Sequence, residues 1–456
     1  MSEPSFLPEA RAYRLRNARV PGAFLTGGVP AGAILDGDAC ALIDIVVADG
    51  VIAGLLPAGS SPDTLPAADL AGRQAWPRLV DAHTHLDKGH TVARTPNPDG
   101  DFPGARDATT ADRNRHWDAE DLRRRMAYGL ACAFAHGTGA IRTHLDSQDS
   151  AGEGALRDQA ATTWAVFREM RAAWAGRIAL QGVGLTPIDA YATAYGRRLA
   201  DLIAESDGLI GGVTRPTGGL HGGALAEIDA LLDRLFGLAR ERNLDVDLHV
   251  DETGDPAAAS LDAVARATLR HGYEGRVTCG HCCSLALQPD AQASDTIARV
   301  AEAGIRIVTL PTVNMYLQDR QRGRTPRWRG VAPVQELMAA GVPVMVAGDN
   351  CRDAFYAYGD HDMLDTFRAS VRILHLDHPL AGAPALAGPV PGAMMGLPHA
   401  GTIRAGAPAD LILLPARSLN EVVARPHADR IVVVAGRAIA ARRPAYEALS
   451  GEAAPW

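Results

Sequence analysis

Two histidines stand one residue apart, His83 and His85, within the stretch LVDAHTHLDKGH at residues 79–90. In an extended strand, side chains at i and i+2 leave the same face. Both imidazoles then point one way, about 7 Å apart along the backbone, and can converge on one metal ion. Alone, a His-x-His pair is a weak pattern, and a pair of satisfied buried histidines would read the same. Its neighbourhood adds weight. The 45 basic residues include a single lysine, Lys88, three positions after His85. A chain that uses arginine everywhere else calls for an amine there, because a planar guanidinium does not replace a compact charge on a flexible stem. The plain alternative is chance survival of one lysine.

Metal chemistry needs further donors, and these must come from distant segments that a fold brings together. Apolar β-rich runs are predicted at 78–84, 139–145, 178–185, 208–214, 244–251, 276–281, 304–311 and 343–349. Helical spacing is predicted at 119–136, 155–175, 224–243, 259–271, 291–303 and 332–341. Strands alternating with helices imply parallel pairing, and eight such units predict an α/β fold built on a closed (β/α)8 TIM-like barrel. An open doubly wound sheet is the other arrangement the pattern admits. Short β-rich runs at 11–76 and 401–440 predict a small β-sandwich made from both ends of the chain. The expected domain limits are 1–76, 77–396 and 397–456.

In such a barrel the C-terminal strand ends face a common mouth. Strand 1 ends at His83 and His85, and strand 5 ends in LHVDE with His249 and Glu252. Strand 6 ends in Cys279-Gly-His281, and strand 8 in Gly348-Asp349-Asn350. Each alone could be a satisfied buried polar group. Together, imidazoles plus a carboxylate make a borderline-hard nitrogen and oxygen site suited to zinc or ferrous iron.

Composition excludes several functions. A net charge of −8 leaves no footprint for nucleic acid or an anionic membrane. There is no apolar run of about 18 residues and no secretory leader, so a soluble, cytoplasmic chain is expected. The six cysteines lack a paired framework, which suits reduced thiols. Cys279 and Cys282 form a C-x-x-C without a second pair, which does not make a structural zinc site.

The ordered motifs VDAHTHLDK, RTHLD, DLHVDE, RVTCGH, VNMYLQDR, AGDNCRDAFYAYGDHDM and AGAPADLILLP resemble the amidohydrolase superfamily, specifically its cytosine deaminase-like branch. The likeness covers nearly the whole chain. It implies that His83, His85, His249 and Asp349 hold one divalent metal ion, Fe(II) or Zn(II). It also implies that Glu252 shuttles protons and that His281, with Asp349, orients the attacking water. Members with two metals usually bridge them with a carboxylated lysine on strand 4. Here that strand reads GLIGGVT, so a mononuclear site is expected.

The expected activity is hydrolytic deamination of a small amino-substituted N-heterocycle, most of all cytosine or 5-methylcytosine, by a homo-oligomer. Substrate contacts are expected from Lys88, Thr186, Asn350 and Phe355. The resemblance departs from the family pattern here. The branch's pyrimidine-reading glutamine is absent, with Thr186-Pro187 in its place. Asn350 replaces an acidic residue and Phe355 a tryptophan. An amide after the metal aspartate suits 5-substituted rings, and it also occurs in an s-triazine aminohydrolase that lacks the shuttling glutamate. The rival activities are therefore triazine aminohydrolysis and cyclic amide or amidine hydrolysis. A non-catalytic scaffold is the rival of another class, and no expected ligand is missing.

Three features weigh less. Asp87 and Lys88 either contact substrate or pair with each other. The turn-rich stretch 95–107 is either a lid over the mouth or an ordinary connection. The stretch 319–330 holds five arginines among twelve residues and reads as a solvated loop or subunit contact.

Overall fold

All eight segments expected as strands are extended in the computed structural model, which describes residues 6–149, 158–219, 227–440 and 442–450. They are β1 (Leu79–Thr84), β2 (Thr138–Asp146), β3 (Ala179–Leu185), β4 (Ile210–Val213), β5 (Val246–Val250), β6 (Val277–His281), β7 (Arg306–Thr309) and β8 (Val344–Val346). Most are buried along their whole length, as strands covered on both faces must be. One sheet runs β8-β7-β6-β5-β4 with parallel registers, and a second runs β1-β2-β3. Isolated parallel bridges connect Val183 to Leu209, Pro187 to Val213 and Thr84 to Asp349. The architecture is thus α/β with parallel sheets.

Helices Ala119–His136, Gln159–Ala173, Ile228–Glu241, Ser260–His271, Asp290–Glu302 and Val334–Ala339 fall where helical spacing is predicted. The expected helix starts at 155–157 and 224–226 lie outside the described residues. Phe102–His116, Ala194–Glu205 and Pro311–Leu317 are among the further helices, in stretches for which no helix is predicted. The first of them corrects the reading of 95–107. Asp101 accepts from Gly104 N at 2.8 Å and caps a helix whose first turn holds Pro103, so half of the expected loop is helical.

Packing divides the chain into two units. One comprises Met1–Asp81, Cys132–Ala140 and Asp362–Arg443, and the other Ala82–Ala131, Ile141–His361 and Pro444–Trp456. Residues 132–140 and 362–396 therefore group with the terminal segments, although they lie inside 77–396. Arg430 explains this grouping, since its guanidinium reaches the Asp362 carboxylate at 2.6 and 2.7 Å and the His136 carbonyl at 3.2 Å.

Within the first unit both ends of the chain enter one eight-stranded sheet. Its order is Arg437–Ala438, Ile431–Val434, Leu411–Leu414, Gln74–Pro77, Ala12–Pro21, Cys40–Ala48 and Val51–Pro57, with Ala67–Asp69 also on Ala12–Pro21. Gln74–Pro77 is the cause. It pairs antiparallel with Leu411–Leu414 and, through Gln74, parallel with Arg19, so the two terminal portions share one hydrogen-bond ladder. Trp76 anchors the core edge-on to Phe24 at 5.0 Å and Phe367 at 5.3 Å.

Candidate metal centre and pocket

The polar ends of β1, β5, β6 and the turn after β8 meet at one buried point. His83 and His249 approach Nε2 to Nε2 at 3.2 Å, and His249 and His85 at 3.3 Å. Asp349 places Oδ1 3.1 Å from His85 Nε2 and 3.6 Å from His83 Nε2. One donor atom each from His83, His249, His281 and Asp349 lies within 4.8 Å of the others. Burial, with the crowding of the imidazoles on one another, holds His83, His85 and His249 well below the ordinary imidazole range, so their rings are neutral. Neutral imidazoles crowded nitrogen to nitrogen around a buried carboxylate fit a divalent ion of the zinc and ferrous class.

Local backbone makes the convergence possible. A Cβ at Gly280 would sit 2.9 Å from His83 Cε1, so only glycine lets that ring pack against β6. A Cβ at Gly211 would meet Val183 at 2.4 Å and the Asp247 carbonyl at 2.5 Å, which leaves β4 without a side chain at that position. His281 and Asp349 both hold left-handed backbone, with φ of 70° and 63°. Such non-glycine conformations cost about 1–3 kcal/mol each and persist where the surroundings enforce them.

Glu252 sits beside this centre. Its Oε1 is 3.5 Å from His281 Nδ1 and 3.4 Å from Asn314 Nδ2. Burial pushes its carboxyl up to about 8, against the pull of Lys88 and Arg215. Asn314 Nδ2 also lies 2.9 Å from His281 Nδ1.

A cavity of about 390 Å³ opens from the centre, lined by His85, His249, Glu252, His281 and Asp349 at one end. Lys88, Asn350 and Phe355 line it as well. Lys88 Nζ pairs with Asp146 Oδ1 at 3.0 Å, not with Asp87, and stands 5.1 Å above the Phe355 ring. Burial opposes charge on Lys88, but Asp146, Asp87 and Asp353 outweigh it and raise its pKa. Asn350 donates to Asp353 Oδ2 at 2.7 Å, and Asp353 in turn accepts from Phe355 N, so the two pocket residues are braced together. Phe102 packs edge-on to Phe355 at 5.5 Å. Thr186 is buried but does not line the cavity. Its neighbours Leu185 and Pro187 form the wall instead.

The amidohydrolase family profile matches residues 213–440. A pterin deaminase from Rhizobium rhizogenes strain K84 is 48% identical over 443 residues, covering 97% of each chain. The chain belongs to the amidohydrolase family. This amidohydrolase is also 28% identical over 306 residues to an N-isopropylammelide isopropyl amidohydrolase from Pseudomonas sp. strain ADP, over 65% of this chain and 68% of that one. In three dimensions it matches 5-methylcytosine deaminase from Klebsiella pneumoniae with a TM-score of 0.76 at 24% identity, covering 94% of this chain and 97% of that one. At that identity the likeness is one of fold. The motif-based family reading holds, and the amidohydrolase is an enzyme that hydrolyses C–N bonds other than peptide bonds.

Several residues around the centre escaped the motif reading. In the amidohydrolase, His144 lies under His83 with ring centroids 3.8 Å apart, and its Nε2 is 3.2 Å from Asp247 Oδ1. Arg142 closes that layer on Asp247 at 2.8 Å. Asp247 is two residues before His249 on β5, one step deeper on the same face, and that spacing was the available signal. Asn314 and Asp146 lie inside motifs that carried the resemblance, the first in the helix Pro311–Leu317 that follows β7 and the second at the end of β2. From the new helix and the turn after β4, Arg106 and Arg215 add two guanidinium groups to the cavity wall. Arg215 Nε is buried and has no hydrogen-bond partner among the described residues. All six cysteines are buried and none forms a disulfide. No helix among the described residues is long and apolar enough to cross a membrane.

Proposed function

We propose that this amidohydrolase hydrolyses the exocyclic amine from a pterin-type 2-amino-4-oxo bicycle, releasing ammonia and leaving the 2,4-dioxo product. The observation that carries the reading is 48% identity to a pterin deaminase across 97% of both chains. The pocket supports it. Its volume suits a bicyclic ligand, the Phe102 and Phe355 rings offer aromatic walls, and Lys88, Asn350 and Arg215 supply polar contacts. Cytosine and 5-methylcytosine share the amino-amidine edge that reacts but fill less of the cavity. The absent pyrimidine-reading glutamine argues in the same direction, because a site built around a buried hydrogen bond discriminates strongly when one partner is missing.

The two sheets are read as one (β/α)8 barrel, joined through the Val183–Leu209 and Thr84–Asp349 bridges. One divalent ion would be held by His83, His85, His249 and Asp349. Such an ion supplies Lewis acidity that lowers the pKa of water towards about 7. The protein's own groups then manage protons. Glu252, whose carboxyl burial pushes up, gives a proton to the ring nitrogen beside the amino-bearing carbon. Its carboxylate next takes a proton from the attacking water and passes it to the departing amine, and the remaining hydroxyl proton returns to Glu252 as the carbonyl forms. His281, held through Nδ1 by Asn314, turns Nε2 toward the centre and aims the water. Phe102 and Phe355 hold the ring plane, and Lys88 reads the carbonyl edge.

Metal-loaded protein offered pterin, cytosine, 5-methylcytosine and N-isopropylammelide in an ammonia-release assay tests the proposal. The highest kcat/KM is expected with pterin. Faster turnover of cytosine would overturn the substrate assignment, and no ammonia from any of them would overturn deamination itself.

A further inference from the structure

A second cluster of metal-binding side chains lies among His90, Cys351 and His361, apart from the residues that gather around Asp349. One donor atom from each lies within 4.8 Å of the other two. All three are buried, at 7%, 3% and 8% exposure. His90 Nε2 and His361 Nε2 are 3.2 Å apart, while His90 Nδ1 is buried without a hydrogen-bond partner. Both histidines hold left-handed backbone, with φ of 64° and 52°. Two non-glycine residues in left-handed backbone thus bring their imidazoles into one donor cluster with a thiol.

The three residues come from two segments that already touch. His90 N donates to the Cys351 carbonyl at 3.1 Å, and Val92 N to the Arg352 carbonyl at 2.9 Å. Lys88 lies on the first segment, and Asn350 and Phe355 on the second, so a tie between them fixes one side of the cavity. The charge surroundings are mixed. Arg125, Arg352 and Asp360 act on His90, and Asp353, Asp360 and Arg352 on the Cys351 thiol.

We infer that His90, Cys351 and His361 form a three-ligand structural site for a soft divalent ion of the zinc class. Two imidazoles and a thiolate are a borderline-soft donor set, in contrast with the nitrogen and carboxylate set at the catalytic centre. Zinc bonds to nitrogen and sulfur run about 2.0–2.3 Å, a reach that draws this cluster together with small torsional changes. The ion clamps the segment after β1 to the segment after β8, and it takes no part in turnover. Its presence is independent of which heterocycle the enzyme deaminates.

The test is a cobalt(II) titration of the metal-free full chain, followed in the near ultraviolet. A thiolate-to-cobalt charge-transfer band is expected to grow and saturate at one equivalent per chain. The candidate catalytic ligands include no sulfur, so that centre cannot supply the band. Cys351→Ser should abolish the band and lower zinc content by one equivalent in elemental analysis. The absence of any such band at saturating cobalt would overturn the inference, as would a band that survives Cys351→Ser. If Cys351→Ser fails to fold, His90→Gln keeps the thiol and should shift the titration to weaker binding. A titration unchanged by His90→Gln would also overturn it.

Discussion

Asn314 Nδ2 stands 2.9 Å from His281 Nδ1, and that one hydrogen bond decides what the imidazole presents on its other side. With Nδ1 accepting, the neutral ring carries its proton on Nε2 and faces the centre as a donor. His281 thereby differs from His83 and His249, although its ring falls inside the same 4.8 Å cluster. Asn314→Ala releases the other tautomer. A loss of about 10–100-fold in kcat is expected, the range seen when a supporting hydrogen bond is removed from such a site. Metal content measured by elemental analysis should stay at the parent value. A variant that loses metal in step with activity would make Asn314 a prop for the ion instead.

His249→Ala should behave oppositely. His249 meets both His83 and His85 through Nε2, so its removal opens the centre of the donor set. Metal content is expected to fall below that of the parent, and activity with it. Parent-level metal in this variant would remove His249 from the ligand set.

Lys88 is nearly as buried as the ligands, and its ammonium pairs with Asp146 while Arg113 holds the other oxygen at 3.0 Å. Lys88→Met strands part of that charge and should lower stability by about 3 kcal/mol, the low end for a broken buried pair because Arg113 remains. Lys88→Arg keeps the charge but brings a bulky planar head into a filled space. Thermal unfolding should show Lys88→Arg closer to the parent than Lys88→Met, while kcat/KM falls in both. Equal kcat/KM for Lys88→Arg and parent would mean that the amine does not read substrate.

Burial raises the Glu252 carboxyl from its ordinary value of 4.5 to about 8 in the folded chain. Between those values the folded state keeps a proton that the unfolded state has released. Stability from this group is therefore complete below about 4.5 and is lost as pH rises through about 8. In metal-free protein, Glu252→Gln should gain melting temperature relative to the parent as pH climbs through this window. Melting curves that stay parallel from acid to alkali would contradict the buried, protonated carboxyl.

Much of the centre was legible because strand periodicity is a local property. His83, His85, His249, His281 and Asp349 end buried apolar runs, and a parallel fold brings such ends together. Pairings across strands were not legible. The Lys88–Asp146 ion pair and the Asp247–His144 couple depend on twist and register, which spacing within one segment does not encode. Thr186 shows the limit at single-residue scale, since one step along the chain separates a residue on the cavity wall from a buried one off it. The helix Phe102–His116 had a signal in Asp101-Phe-Pro, a cap followed by an early proline, but the turn-rich lead-in masked it. The single terminal sheet was hidden for a different reason. It turns on Gln74–Pro77, four residues that pair with segments far apart in the chain.

The account rests on one acid moving protons beside one ion, so the most direct measurement is ammonia release by metal-loaded Glu252→Gln with pterin, read alongside its metal content. The amide matches the carboxyl in shape but carries no transferable proton. A full complement of metal with turnover reduced by about 10²–10⁴-fold is the expected result. Turnover within a few-fold of the parent at the same metal content would contradict it.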